Sequence, residues 1–514
     1  MRVKDYKPHI DGLRALAVLP VIFFHAGFEI FQGGFVGVDI FFVISGYLIT
    51  NIILKDLKKN TFKISNFYIR RARRILPALF LVTLSSLIIS IFLMSEEEIK
   101  FFSRQAISVV LFISNFFFWN NTGYFNPNSE LQPLLHTWSL SVEEQFYIFF
   151  PLFLIFIWKF FRGKLNYFLI LIICFSLILC QMGGNFKLSN ISTNFPFFKL
   201  PFEFFWQAGS ANFFLPFGRI WELLFGSLVS VYTFKKEIKY KKINNLFSIL
   251  GIGLILLSIM LFSENLQYPS LLTFLPVFGT TLILLYSNKP TLSYKIFSYK
   301  PLVFLGLISY SLYLWHQPLL AFNRIYFGTN LSFLHTICII ILTFLISVIS
   351  WKLIEKPFRN KELINNKKAI GYLIVISIVI LSLSSLAFFS KIKTFQPKIP
   401  NSILNSFQSS EPGKCFDINY AHLEENKWFC DIGNSSNKYT FAVIGDSHAL
   451  ALKAAFEEAA IQKNQKGILL GFSGCPGLLG VNSIRPDSNV KNCKLLNEKL
   501  FKFIKTNNIK KIFL

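Results

Sequence analysis

The sequence predicts a polytopic α-helical membrane protein followed by a partial α/β domain outside the membrane. Three observations carry that prediction. The 514 residues are 53% hydrophobic, with 62 Phe and only 15% charged residues, whereas a soluble globular protein carries roughly 25% charged residues. Apolar stretches able to cross ~30 Å of hydrocarbon recur at 10–30, 35–54, 75–94, 137–158, 165–181, 217–234, 246–262, 271–286, 302–318, 333–351 and 369–390. From Thr440 the pattern changes to short strands alternating with amphipathic helices.

The first stretch carries Asp11 and Arg14 near its start and lacks a small-residue cleavage site, so it reads as a spanning helix rather than a cleaved leader. Residues 106–119 are apolar but number only 14, which suits a re-entrant or interfacial segment. Loop charge tests that choice. The net charge is +25, and Lys and Arg gather in loops 55–74, 159–164, 235–245, 287–301 and 352–368. The intervening loops are lean in cations and include Glu96, Glu97 and Glu98. A twelfth span would place every later basic loop outside. Eleven spans therefore fit the positive-inside rule, with the N-terminus cytoplasmic and everything after residue 390 outside. The same rule accounts for the positive charge, so no nucleic-acid partner is expected; the partner is the lipid bilayer.

Residues 393–438 read as a polar periplasmic linker and 439–514 as the partial α/β domain. "TFAVIGDSH", "GILLGF" and "KKIFL" are strand-like, and "ALALKAAFEEAA" and "VKNCKLLNEKLFKFIKTN" are helical. Such a domain needs more strands, so it is expected to be incomplete. Cys174, Cys180 and Cys338 lie in apolar runs and read as small buried hydrophobes. Cys415, Cys430, Cys475 and Cys493 permit two disulfides in an oxidising compartment.

Ionisable residues within spans suggest function. Arg14 and His25 share one face of the first helix, with His25 about 16 Å nearer the outer side; Pro20 between them can kink it. Asp39 lies at a similar distance from the intervening turn. It is expected beside His25, where a carboxylate fixes an imidazole's tautomer. Either a structural or a catalytic histidine fits that spacing. Glu143 and Glu144 are ~100° apart, so at most one faces the interior easily, and Glu143 shares a face with Tyr147. Either glutamate also suits a solvated helix end. Glu222 and His316 are secondary candidates. Arg70, Arg71, Arg73 and Arg74 fit two readings, an orientation signal or a clamp for a phosphate-bearing donor such as a CoA ester.

The stretches "HIDGLRALAVLPVIFFH", "GGFVGVDIFFVISGYLI", "FYIRRARRILPAL", "LLHTWSLSVEEQFYIFFPL", "ISYSLYLWHQPLL" and "SWKLIEKPFR", between residues 9 and 359, together resemble the acyltransferase-3 family of membrane O-acyltransferases. The resemblance implies a ten-helix core in a transmembrane acyltransferase domain at 1–360, followed by an eleventh linking helix at 361–392. It also implies transfer of an acyl group, usually acetyl from acetyl-CoA, to an extracytoplasmic carbohydrate. It places Arg14 and His25 at the catalytic centre and the Arg70–Arg74 cluster at the donor, and Glu143 matches a family carboxylate. Gly445-Asp446-Ser447-His448 resembles the nucleophile block of SGNH-type domains, with Ser447 as nucleophile at a strand-to-helix turn and Gly474 in a second block that stabilises an oxyanion. The later Asn, Asp and His that such domains use are not among these residues.

The functional expectation is therefore an acyl-CoA-dependent O-acyltransferase of the bacterial inner membrane. Its glycan acceptor is lipid-linked or on the cell surface: lipopolysaccharide O-antigen, peptidoglycan or exopolysaccharide. No metal is expected. A sugar-lipid transporter or flippase is the alternative, although no inverted repeat is evident. A glycan esterase is disfavoured by the missing Asp and His.

Overall fold

The computed structural model describes residues 6–121, 129–161, 163–185, 208–235, 242–264, 266, 268–329, 331–389, 395, 429–434, 438–445, 449–450, 452–471, 477–478 and 487–513. It divides into two units, Met1–Gln396 and Pro397–Leu514.

The first unit is helical. Its elements are α1 (Pro8–His25), α2 (Gly37–Lys58), α3 (Ile64–Leu93), α4 (Glu96–Val110), α5 (Ser114–Asn120), α6 (Thr137–Phe160), α7 (Leu165–Asn185) and α8 (Ala208–Phe214). There follow α9 (Ile220–Lys235), α10 (Lys242–Leu261), α11 (Phe274–Tyr286), α12 (Leu292–Phe297), α13 (Lys300–Phe327), α14 (Phe333–Ser350), α15 (Lys356–Arg359) and α16 (Asn366–Phe388). A helix coincides with each of the eleven apolar stretches. Among the described residues, six segments are long and apolar enough to cross a membrane: Gly34–Lys58, Ile64–Leu93, Thr137–Phe160, Lys242–Leu261, Phe333–Arg359 and Asn366–Phe388.

The stretch 106–119 is not one helix. It is shared between α4 and α5, which break at Leu111–Ile113, where Phe112 has a φ of 55°. Ser95 and Glu98 form a reciprocal cap at the start of α4, satisfying two orphan amides.

α1 lies along α13, α2 along α9 and α10 along α11. The α2–α9 contact is backbone-close: a Cβ at Gly46 would overlap the Leu223 carbonyl, and one at Gly226 the Val43 carbonyl. Small residues allow such approach where helices gain little from hydrophobic burial against each other. Large apolar side chains such as Phe149, Leu171 and Leu345 point outward, which is stable only if lipid is the solvent. Cys174 and Cys338 share that outward placement, against the expectation of burial, and only Cys180 is buried. Apolar composition cannot tell a lipid-facing thiol from a packed one.

A π-helical turn, Trp351–Glu355, follows α14 and turns Glu355 fully inward. There its carboxylate accepts from Ser311 and from Arg359, the latter at 2.5 Å.

The second unit holds β1 (Cys430–Gly433), β2 (Tyr439–Gly445), α17 (Lys453–Gln462), β3 (Lys466–Gly471), α18 (Asp487–Thr506) and β4 (Lys511–Phe513). The sheet order is β1-β3-β2-β4, with β2 parallel to both β3 and β4 and β1 antiparallel to β3. β2 buries Phe441 through Ile444 without a break, as a strand covered on both faces must. Ala442, Ile444, Ile468 and Leu470 pack under Leu496 and Leu500 of α18, while Phe441, Val443 and Leu469 pack with Ala460 of α17. β1 corrects the expected linker: it is a strand inside 393–438, too short and polar to stand out in sequence. Cys430 and Cys493 are both in disulfides.

Candidate active site

α1, α2, α3, α6 and α13 line a partly open cavity. Arg14, Arg71, Arg74, Ser45, Glu143 and Tyr147 supply much of its polar lining, and Ile44, Leu48, Ile49 and Ile75 its apolar wall. Arg14 keeps its guanidinium 3.4 Å from Asp11. Glu143 accepts a hydrogen bond from Ser45 at 2.7 Å and one from Tyr147 at 3.4 Å. The Glu143–Tyr147 face is thus as predicted. Glu144, however, is also buried rather than solvated, with Oε1 lacking a hydrogen-bond partner. Two adjacent carboxylates can both turn inward because α6 is surrounded on more than one side.

The basic run divides. Arg71 and Arg74 line the cavity, and Arg71 stands 5.9 Å from the ring centres of Phe67 and Tyr147. Arg70 is instead at the surface, 3.1 Å from Asp56. Arg73 donates to Asn366 at 3.0 Å, to the Asn360 carbonyl at 3.1 Å and to the Ile364 carbonyl at 2.6 Å. It therefore ties α3 to the turn before α16. Four arginines in RRxRR order fan over about 160° of a helix, so they cannot share one mouth.

His25 does not line this cavity. Its Nδ1 lies 2.9 Å from the Val21 carbonyl, and its ring centre is 5.2 Å from that of His316. His316 in turn is 5.4 Å from His136. Tyr313 stands between this cluster and the cavity. It lines the cavity, its ring is 5.4 Å from His316 and 5.5 Å from His136, and its hydroxyl meets Ser139 at 2.6 Å.

Asp39 does not meet His25. One carboxylate oxygen accepts from Arg219 at 2.6 Å and the other from Tyr268. Arg219 also reaches Glu222 at 3.0 Å, and all three charged side chains are at most 1% exposed. Similar depth in a hairpin fixes height but not azimuth, and α2 turns Asp39 toward α9. Sequence reasoning does not single out Arg219, Tyr268, His136 or Tyr313. Arg219 carries one usable signal: it is a cation inside the apolar stretch 217–234, three residues before Glu222. Ser447 and Gly474 lie outside the described residues.

Fold and site define a multi-pass helical membrane protein with a guanidinium-lined interior cavity and a separate α/β unit. The chain belongs to the acyltransferase domain family, whose model matches residues 8–352. The SGNH domain that occurs fused to such domains matches residues 414–514. The chain is 34% identical over 373 residues to the peptidoglycan O-acetyltransferase OatA of Listeria monocytogenes, covering 70% of this chain and 57% of that protein. It is 34% identical over 369 residues to the O-acetyltransferase OatA of Staphylococcus aureus, covering 69% and 58%. The chain thus spans little more than half the length of these relatives. No solved structure matches it.

Proposed function

We propose that the protein transfers an acyl group, acetyl first among them, from cytoplasmic acyl-CoA to hydroxyls of a glycan outside the bacterial plasma membrane. Three guanidinium groups from two helices, Arg14, Arg71 and Arg74, facing one cavity carry this reading. Guanidinium forks bind phosphate bidentately, and a CoA ester brings phosphates at one end and an acyl group at the other. The apolar wall suits the acyl end. The activity for which the Listeria relative is named supports acetyl as the group and peptidoglycan as the first glycan to test.

In this reaction the acceptor oxygen bonds to the thioester carbon and the carbon–sulfur bond breaks. His25 takes the hydroxyl proton as general base, and the departing thiolate is then protonated. Asp39 serves by holding Arg219 and Tyr268, and Glu143 by anchoring Ser45 and Tyr147 in the cavity wall. Ser447 is either an intermediate acceptor that passes the group on, or is bypassed. The loop charges support a cytoplasmic N-terminus and an external C-terminal unit.

Titration calorimetry with acetyl-CoA in detergent tests the reading, since a flippase has no need of that ligand. Each charge-assisted bond is worth roughly 1.5–3 kcal/mol, so Arg74→Ala should weaken binding about 10- to 100-fold. His25→Ala should bind acetyl-CoA normally but abolish glycan acetylation in cells. Absence of acetyl-CoA binding by the unaltered protein would refute the proposal.

A further inference from the structure

The three imidazoles next to Tyr313 are not explained by donor binding. His316 sits 5.2 Å from His25 and 5.4 Å from His136, ring centre to ring centre. The Nδ1 atoms of His25 and His316 lie 2.9 and 2.6 Å from the carbonyls of Val21 and Tyr313. A carbonyl only accepts, so in the neutral rings each Nδ1 carries the hydrogen and each Nε2 keeps a lone pair. His316 Nε2 and both nitrogens of His136 have no hydrogen-bond partner. Yet these two residues are 0% and 3% exposed. Buried polar atoms are normally satisfied, so these nitrogens have bonding capacity to offer a small polar group.

The chemistry of that group follows from its hosts. An alcohol has one hydrogen to donate and two lone pairs. It can donate to an Nε2 lone pair and accept from a His136 N–H. The position fits as well. Tyr313 and Ser139 are shared between the cavity wall and the cluster, their hydroxyls 2.6 Å apart, and Tyr313 also donates to the His136 carbonyl at 3.0 Å. His25 is only partly buried.

We propose that His25, His136 and His316 form the seat of the acceptor hydroxyl, with His136 and His316 binding and orienting it for transfer. This rests on the acyl-transfer function above. The hydroxyl belongs either to the glycan or to Ser447. In either case its oxygen forms the new ester bond as the thioester carbon–sulfur bond breaks. Its proton passes to His25 Nε2 and from there to the thiolate.

The test uses the full chain in detergent with acetyl-CoA as donor and chitotriose as a soluble alcohol probe. His136→Asn and His316→Asn should each raise the KM for chitotriose about tenfold or more. The Kd for acetyl-CoA should stay within about twofold, which also certifies folding. His136→Gln and His136→Asn keep a donor and an acceptor, so both should retain more acceptor affinity than His136→Ala. Ser447→Ala separates the two hydroxyl sources. If chitotriose is the direct acceptor, transfer survives. If Ser447 is, transfer stops, the unaltered chain carries acetyl-Ser447 by mass spectrometry, and the histidine variants form it more slowly. Normal KM and normal acetyl-Ser447 formation in both Asn variants, or equal losses in His136→Gln and His136→Ala, overturn the seat while leaving the function standing. An unaltered chain that does not bind acetyl-CoA overturns both.

Discussion

Arg219 shows how much one side chain can hold. Its guanidinium faces Asp39 and Glu222 at 2.6 and 3.0 Å, and the rings of Trp138, Phe213 and Tyr268 surround it within 5.0–5.4 Å. Removing one partner from a buried pair strands the other charge, which typically costs about 3–5 kcal/mol. Arg219→Met should therefore lower the thermal midpoint in detergent sharply. Adding Asp39→Asn should recover part of the loss, because the stranded carboxylate is then gone. Additive losses in the double variant would show that Asp39 and Arg219 are not coupled. Arg73 is a second anchor of this kind. It commits its donors to Asn366 and two backbone carbonyls, and that occupation keeps it out of the cavity that Arg71 and Arg74 line.

Helix pairs set where those side chains meet. α2 and α9 touch through Gly46 and Gly226, whose absent side chains let one backbone rest against the other. Gly46→Ala forces the helices apart, and overpacking of this sort costs about 1–3 kcal/mol. It should also disturb Asp39–Arg219, since Asp39 rides on α2 and Arg219 immediately precedes α9. A methyl group at Gly253 on α10 would meet nothing within 4 Å; there the change to Ala should be neutral or raise stability by up to about 1 kcal/mol. Thermal unfolding of the two variants side by side checks the contrast, and equal behaviour would contradict close α2–α9 packing. The break between α4 and α5 belongs to this scale too. The sequence marks 106–119 as too short to span, but the positive φ at Phe112 that divides it is a product of local packing.

Across the whole chain, two units stand on different physics. The first faces lipid with its apolar side chains; the second closes a small sheet under α17 and α18 and carries Cys430 and Cys493 in disulfides. A disulfide typically contributes about 2–4 kcal/mol, so reduction of the intact protein should open the strands β1–β4 and helices α17 and α18 to protease while the described helices of the first unit resist. Peptide mapping after alkylation, with and without reductant, reads this directly; unchanged cleavage would show that the sheet does not depend on those bonds. Hydrophobic run length and alternation are local properties of a chain, so the eleven helical stretches, the α/β pattern after Thr440 and the family are all legible in the order of the amino acids. Arg14 and Glu143, which line the cavity, stand out in the same way, because their types are unusual in apolar runs. Folding in three dimensions was needed to sort which of four arginines reach the cavity, to pair Asp39 with Arg219 rather than His25, and to bring His136, His316 and Tyr313 together. Those outcomes depend on the rotation of each helix about its axis, and that angle is set only when neighbouring helices pack.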